Sequence, residues 1–407
     1  MSAPKVLVIN LGWEQRPLID ALAARGYVLY GIHADATTVP DIAWREVLIA
    51  DLRDLGRIIA FADRIAPDAV ISDECDYAYF AQALLAERYG LPGPGLAAAQ
   101  RATNKYLQRQ AAEAAGIPVP EYRLCLSADE ALQFAAQIGW PVILKPVDNR
   151  GSFGVSRVDT PEQLAVAYTK ALVHSHSRLV LAERYIVGQH LTIDGYCTEG
   201  QLPITLAVGS NRKFDGEFGI VNQSIVYPAE ISPQQSAAAS DLAARTAAAL
   251  GYRFGYFHGE FIIEKETGRL FLTEMANRGG GGHISNVAVP YVAQIDVVGR
   301  YIDAVLGLYS SVALGSTSAP RTALLSFFVN QDYAGKKLLA VHGGESVLRS
   351  PGVLCFQPFV RPGQTLGARE NGAQRHAMII VGAETAERLD QLASDAWAEL
   401  RLEVESI

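Results

Sequence analysis

The sequence predicts an α/β fold, α+β in part, and three observations carry that prediction. Short apolar runs alternate with helix-forming stretches over the N-terminal part of the chain, the pattern of a parallel sheet with helices on its faces. Further along, two glutamates, Glu260 and Glu274, stand inside apolar strand-like runs joined by a glycine-containing turn. Hydrophobic residues make up 49% of the 407 and charged residues 19%, enough apolar material for several packed cores. At roughly 100–200 residues per domain, the length predicts roughly two to four domains.

In order along the chain, Val6-Leu7-Val8-Ile9 reads as a buried strand, Pro17 to Arg25 as a helix closed by Gly26, and Val28 to Ile32 as the next strand. Leu52 to Ala66 has helical patterning, and Ala69-Val70-Ile71 is a short strand. Strand ends in such sheets often carry ligands, which marks Asn10 and the acidic group Asp73, Glu74 and Asp76. The plainer reading of these acids, and the favoured one, is a solvated loop or helix cap. No G-x-G-x-x-G follows the first strand, so a dinucleotide site is not expected. The cluster Gly90 to Gly95 closes an N-terminal domain of residues 1–95. A helix from Asn104 to Ala115 opens a longer α/β region, 96–309, and the small residues from Ser310 to Pro320 mark a linker. Residues 318–407 carry strand-like runs at Leu324 to Val329 and Met378 to Val381, then a last helix near Glu384 to Leu400. That mixture predicts a C-terminal α+β domain.

The formal net charge is -8 with no dense Lys/Arg run, so neither nucleic acid nor an anionic membrane is an expected partner. Val6 to Leu11 is too short and badly flanked for a signal peptide, and no later run is long enough to span a bilayer. The four cysteines, Cys75, Cys125, Cys197 and Cys355, contain no C-x-x-C pair, which points to incidental thiols in a reducing compartment. The expectation is a cytoplasmic protein.

Three segments carry chemistry. Trp140 to Pro146 is a strand ending in Lys145, followed by a loop with Gly151-Ser152-Phe153-Gly154. Glycines let backbone N–H groups approach phosphate oxygens, and a lysine neutralises phosphate charge, although plain hairpins share the Gly-Ser pattern. Val180 to Gly188 is an apolar run that passes Glu183 and reaches a turn whose backbone can pair with an adenine edge. His258 to Ile263 and Leu270 to Arg278 read as a hairpin. Carboxylates among apolar neighbours belong there when paired or metal-bound, and an antiparallel hairpin brings Glu260 and Glu274 to one face. With the amide of Asn277, the hard-oxygen set suits Mg²⁺ on nucleotide phosphates, and Arg278 supplies a fixed cation for a transferring phosphoryl group.

In this order, Asn104-Lys105, Val142 to Pro146, the Gly151 to Val155 loop, Glu183 to Gly188, Glu260, and Glu274-Met275-Ala276-Asn277-Arg278 resemble the ATP-grasp superfamily, from about residue 5 to residue 400. The run Glu274 to His283 and the C-terminal domain are similar to the L-amino-acid ligases and related carboxylate–amine ligases. The resemblance implies ATP and one or two Mg²⁺ ions, with Mn²⁺ as the alternative metal. It implies that Lys105 and Lys145 contact phosphates and that Gly151, Ser152, Phe153 and Gly154 form a mobile flap within a lid subdomain at 140–190. Glu183 would bind the adenine amino group, with Tyr185 and Ile186 as the hinge. Glu260, Glu274 and Asn277 would hold the metal, Arg278 would stabilise an acyl-phosphate, and Lys213 would add a phosphate contact. Where these enzymes carry a ribose-binding glutamate after the hinge, this chain has His190, which can still bond a hydroxyl.

The implied reaction is ADP-forming: a carboxylate takes the γ-phosphoryl group and an amine displaces phosphate, giving an amide or peptide bond. His258, Gly280, Gly281 and His283 are expected around the substrates, which are a small carboxylate and an amine, amino acids by resemblance. His258, His283 and Glu230 are candidates to accept the amine's proton. A homodimer is a further expectation from similar enzymes. The alternatives are an ATP-grasp carboxylase using bicarbonate and a nucleotide-binding module without turnover.

Overall fold

A computed structural model describes residues 3–214, 221–308, 321–368 and 372–406. The expected linker from Ser310 to Pro320, with the domain limits at 309 and 318, lies outside the described residues. The first sheet is parallel, built from β1 (Lys5–Ile9), β2 (Val28–His33), β3 (Trp44–Ile49) and β4 (Ala69–Ile71) in the order β3-β2-β1-β4. Strand alternation divides β1 between two cores. Val6 and Val8 pack with Leu18, Ile19 and Leu22 of the helix Arg16–Ala24, whereas Leu7 and Ile9 pack with Ile58, Phe61 and Ile65 of the helix Leu55–Ile65. That second helix starts three residues later than the apolar pattern suggested, because the Asp54 side chain caps it on the Arg57 N–H. β3 was not foreseen. It lies at the sheet edge with Arg45 and Glu46 exposed, so its apolar signal is weak.

The second sheet covers the region expected as a lid. It comprises β5 (Tyr122–Cys125), β6 (Val142–Pro146), β7 (Ser156–Val158) and β8 (Val180–Arg184), in the order β5-β8-β6-β7. The helices Ala128–Ile138 and Pro161–His174 pack on it through Phe134, Leu164 and Tyr168. The sheet therefore begins at Tyr122, ahead of the expected limit at 140.

The largest sheet draws on β9 (Gly188–Cys197), β10 (Ile204–Lys213), β11 (Asn222–Tyr227), β12 (Gly255–Glu264), β13 (Leu270–Ala276) and β14 (Thr322–Phe328). β15 (Lys336–His342) pairs with β18 (Arg401–Ser406) in a two-stranded sheet, whereas β16 (Val353–Pro358) and β17 (Ala377–Ala383) join the large sheet. The order β13-β12-β9-β10-β11-β14-β17-β16 runs without a break from the β12–β13 hairpin into the C-terminal strands. β11 and β14 form the seam, with Ser224 opposite Ser326. The C-terminal region thus continues the central sheet and delivers side chains to the same cleft. Among the described residues no helix is long and apolar enough to cross a membrane.

Candidate active site

The lid, the N-terminal sheet, the β12–β13 hairpin and the C-terminal strands enclose a cleft of about 1890 Å³. Its chemical centre is the hairpin. Glu260 lies directly opposite Glu274, and His258 opposite Ala276. Side chains on one strand alternate between faces, so His258, Glu260, Glu274 and Ala276 share the face that lines the cleft.

The same alternation overturns Asn277 as a metal ligand. Asn277 follows Ala276 and is buried on the opposite side, 2% exposed. Its Oδ1 accepts from the Tyr79 hydroxyl at 2.7 Å, and its Nδ2 donates to the carbonyls of Phe254 and Tyr256 at 3.0 and 2.5 Å. Both N–H groups of the amide and one acceptor direction of its oxygen are used inside the core. The position that faces the cleft two residues after Glu274 is Ala276, which has no ligand atom. Two carboxylates remain, and they fit Mg²⁺, which keeps several waters and binds through one or two carboxylates plus substrate phosphates.

The lysines are poised but engaged. Lys105 Nζ pairs with Glu274 at 2.9 Å and donates to the Asn149 carbonyl at 2.6 Å, bridging the hairpin to the loop before the flap. Lys145 Nζ pairs with Glu183 at 2.7 Å, and the other oxygen of that carboxylate accepts from Arg109 Nε at 2.8 Å. Glu183 is therefore the acidic centre of a buried ion triad before it is anything else. Burial works to raise its pKa, yet Arg109 and Lys145 hold it below the ordinary carboxylate value. Burial lowers the pKa of Lys145, against the pull of Glu183. Arg109 was not singled out in the sequence, although its spacing of four from Lys105 places both on one helix face.

At the hinge, Tyr185 and Ile186 both line the cleft, and Ile186 is buried against Ile262 and Phe271. The Arg157 guanidinium sits 4.6 Å over the Tyr185 ring. His190 lies beside Ile262 and Asn211 in the sheet. Burial, with Lys213 nearby, pushes its pKa down to about 3, so it is a neutral imidazole able to donate or accept. Burial likewise lowers the pKa of Lys213, which Glu260 opposes. The flap makes a tight turn in which Gly151, Ser152 and Gly154 all have positive φ. A Cβ on Gly154 would come within 2.8 Å of His174 and 2.9 Å of Pro146, so only glycine fits. Phe153 tilts against the His174 ring at 5.8 Å.

Arg278 stands at the floor of the cleft. Its Nε donates to Asp76 Oδ1 at 2.7 Å and its Nη1 to the Gly279 carbonyl at 2.9 Å. Asp73 and Glu74 follow β4 and Asp76 opens the helix Asp76–Tyr89, so the acids marked in the sequence pack against Arg278 and the segment after the hairpin rather than solvating a loop. Asp73 accepts from Gly279 N–H and Ser285 Oγ, and Glu74 from Ser285 Oγ and His283 N–H. Burial, then the charges of Asp73 and Glu14, push Glu74 well above the carboxylate range. The glycine run divides by role. Gly280 has no room for a side chain, because a Cβ would lie 2.6 Å from His258 Nδ1, whereas Gly281 opens onto the cleft with nothing within 4 Å. His283 packs edge-on against Trp13 with centroids 5.0 Å apart, and its Nδ1 meets Asn286 at 2.9 Å.

His258 is the third part of a relay that sequence reading did not assemble. Its Nδ1 is 2.7 Å from Asp194 Oδ1, and Tyr227 donates to the other oxygen at 2.8 Å. Burial works to lower the His258 pKa, but Asp194 outweighs it and the net shift is upward. Glu230, also a candidate, is spent on Arg212 at 2.5 Å at the surface. Asp194 and Tyr227 sit on strands distant in sequence from His258, so only the sheet register reveals them.

Residues 138–287 match the family model of the ATP-grasp domain, and residues 334–405 match that of the L-amino acid ligase C-terminal domain 2. The chain is 33% identical over 273 residues to a D-alanine–D-alanine ligase of Desulforudis audaxviator, covering 65% of this chain and 81% of that one. It is 25% identical over 411 residues to the uncharacterized protein y4rH of Sinorhizobium fredii, covering 97% and 82%. In fold it superposes on an L-amino acid ligase from Bacillus licheniformis with a TM-score of 0.83 at 18% identity, covering 100% of both chains. The chain belongs to the ATP-grasp superfamily, in its group of carboxylate–amine ligases.

Proposed function

We propose that this ligase joins two amino acids, activating the carboxylate of one as an acyl-phosphate and releasing ADP and phosphate. The observation that carries the reading is the cross-strand pair Glu260–Glu274 facing a cleft whose floor is Arg278 and whose roof is the Gly151–Gly154 flap. Glu260 and Glu274 would hold Mg²⁺, which when bound neutralises phosphate charge. Tyr185 and Ile186 would seat the adenine, and neutral His190 the ribose. Lys105 and Lys145 exchange their carboxylate partners for phosphate oxygens when nucleotide enters. Arg278, held in place by Asp76, faces the charge that develops as the phosphoryl group moves to the carboxylate. Flap closure excludes water that would hydrolyse the activated acyl group.

His258 accepts the proton of the attacking amine. It lines the cleft, Asp194 fixes its ring and raises its basicity, and the missing side chain of Gly280 gives it room. The L-amino acid ligase likeness of the C-terminal region and the D-alanine–D-alanine ligase relative support amino acids as both substrates.

The test is purified protein with Mg²⁺-ATP and a panel of amino acids, alone and in pairs, followed by ADP, AMP and phosphate, with Glu274→Ala as control. ADP and phosphate released only with particular pairs, and lost in the variant, support the reading. Release driven by bicarbonate alone replaces it with a carboxylase, and AMP as product sinks the acyl-phosphate route.

A further inference from the structure

The C-terminal region places two arginines in the cleft that the reaction as described leaves unused, the exposed Arg361 and the half-buried Arg375. Arg375, two residues before β17, lays its guanidinium over the Phe327 ring at 3.6 Å. Its Nη2 donates to the Asn222 carbonyl at 3.1 Å. Among the described residues the Nε is shut off from solvent without a hydrogen-bond partner, and so is Oδ1 of Asn222. The adjoining Gly372 donates its N–H to the Gly151 carbonyl at 3.4 Å, so this segment rests directly on the flap. Arg375, Asn222, Phe327, Glu260 and Gly151 all line one cleft. Burial pulls the Arg375 pKa down to about 10, and Glu260 is the charge that opposes it.

Stacking on Phe327 fixes the plane of the guanidinium, and a planar fork is suited to two oxygens of one phosphate. A cation that has lost hydration at this cost persists where an anion completes its coordination. The place is defined by its neighbours. One is the flap glycine, which belongs over the phosphates, and the other is the carboxylate proposed for the metal. The adenine end, at Tyr185 and Ile186, is formed by other elements.

We propose that Arg375 is an oxyanion donor which the C-terminal strands contribute to the terminal phosphate of ATP, so that this wall distinguishes ATP from ADP. The assignment rests on the ligase reading of the same cleft. ADP lacks the group that would complete Arg375; the transferred phosphoryl group leaves as phosphate when the amine attacks the acyl-phosphate, and the C-terminal wall is then without its anion.

The experiment is calorimetric titration of the full chain in Mg²⁺ with ADP and with the non-hydrolysable β,γ-imido analogue of ATP, using wild type, Arg375→Gln and Arg375→Lys. A charged hydrogen-bond pair lost on one ligand alone predicts an analogue affinity weaker by roughly tenfold or more in Arg375→Gln. ADP affinity should stay within about twofold, which also shows that the variant is folded, and Arg375→Lys should lie between. Equal losses for both nucleotides, or no loss for the analogue, overturn the assignment. Failure of wild-type protein to bind ADP overturns the ligase reading itself and is read separately.

Discussion

The Asp194 carboxylate holds the His258 ring from behind, Oδ1 to Nδ1 at 2.7 Å, while its second oxygen takes the Tyr227 hydroxyl. The arrangement turns a buried imidazole, which desolvation alone would make a weaker base, into a stronger one. The neutral ring is the active form in proton acceptance, so activity rises as pH climbs through the raised pKa. Asp194→Asn removes the charge that raises it. The acidic limb of the kcat/KM profile should move to lower pH, with a lower plateau. His258→Ala should lose roughly 10²–10⁴-fold in rate while binding ADP normally. An unmoved limb in Asp194→Asn would remove His258 from the proton transfer.

Asn277 and Glu274 part company across one strand. Because the Asn277 amide bonds Tyr79, Phe254 and Tyr256 inside the core, Asn277→Ala should cost stability, about 1–3 kcal/mol for each buried group left unpaired. The Mg²⁺ concentration giving half-maximal activity should hardly change. Glu274→Gln should behave oppositely, raising the metal requirement by roughly tenfold or more with little change in Tm. Metal titrations of the two variants beside their thermal unfolding check the assignment, and a raised metal requirement in Asn277→Ala would return Asn277 to the ligand set.

What could be read from the sequence follows a physical line. Glu260, Glu274 and Arg278 were legible because charged groups inside apolar runs are costly without a purpose. Lys145 and the flap glycines were legible because local backbone geometry and residue type sit together in one short segment. Asn277 misled, since residue order suggested a ligand while strand alternation, a single residue out of phase, turned it inward. The Asp194–His258–Tyr227 relay, the Arg109–Glu183–Lys145 triad and the Asp76–Arg278 pair were not legible, because each joins elements far apart in sequence. Edge strand β3 escaped because half its surface faces water.

Gly280 offers a test that leaves every charged group in place. A methyl group there would lie 2.6 Å from His258 Nδ1 and 2.9 Å from Cε1, so the ring must shift away from Asp194. Gly280→Ala should lower kcat while the affinities for ADP and for the ATP analogue stay at wild-type level. Gly281→Ala, with open space around its Cβ, should act on the KM of the amino acid substrates instead. Steady-state kinetics on the pair separate the two roles, and identical profiles would show that the loop works as one undivided surface.

The Arg109–Glu183–Lys145 triad predicts an effect on stability larger than on the hinge itself. Arg109 is fully buried and Lys145 nearly so, and Glu183 is the shared counter-charge of both. Glu183→Gln keeps the shape but leaves two buried cations facing each other, a loss of about 3–5 kcal/mol. The pH dependence has a definite sign. The folded pKa of Glu183 lies below the ordinary carboxylate value of about 4.3. Its contribution is therefore complete above that value and lost as pH falls through the folded pKa. Denaturant titrations of wild type and variant should differ by a constant amount near neutrality and converge in acid. A difference that persists at low pH would mean that the loss in the variant comes from packing rather than charge.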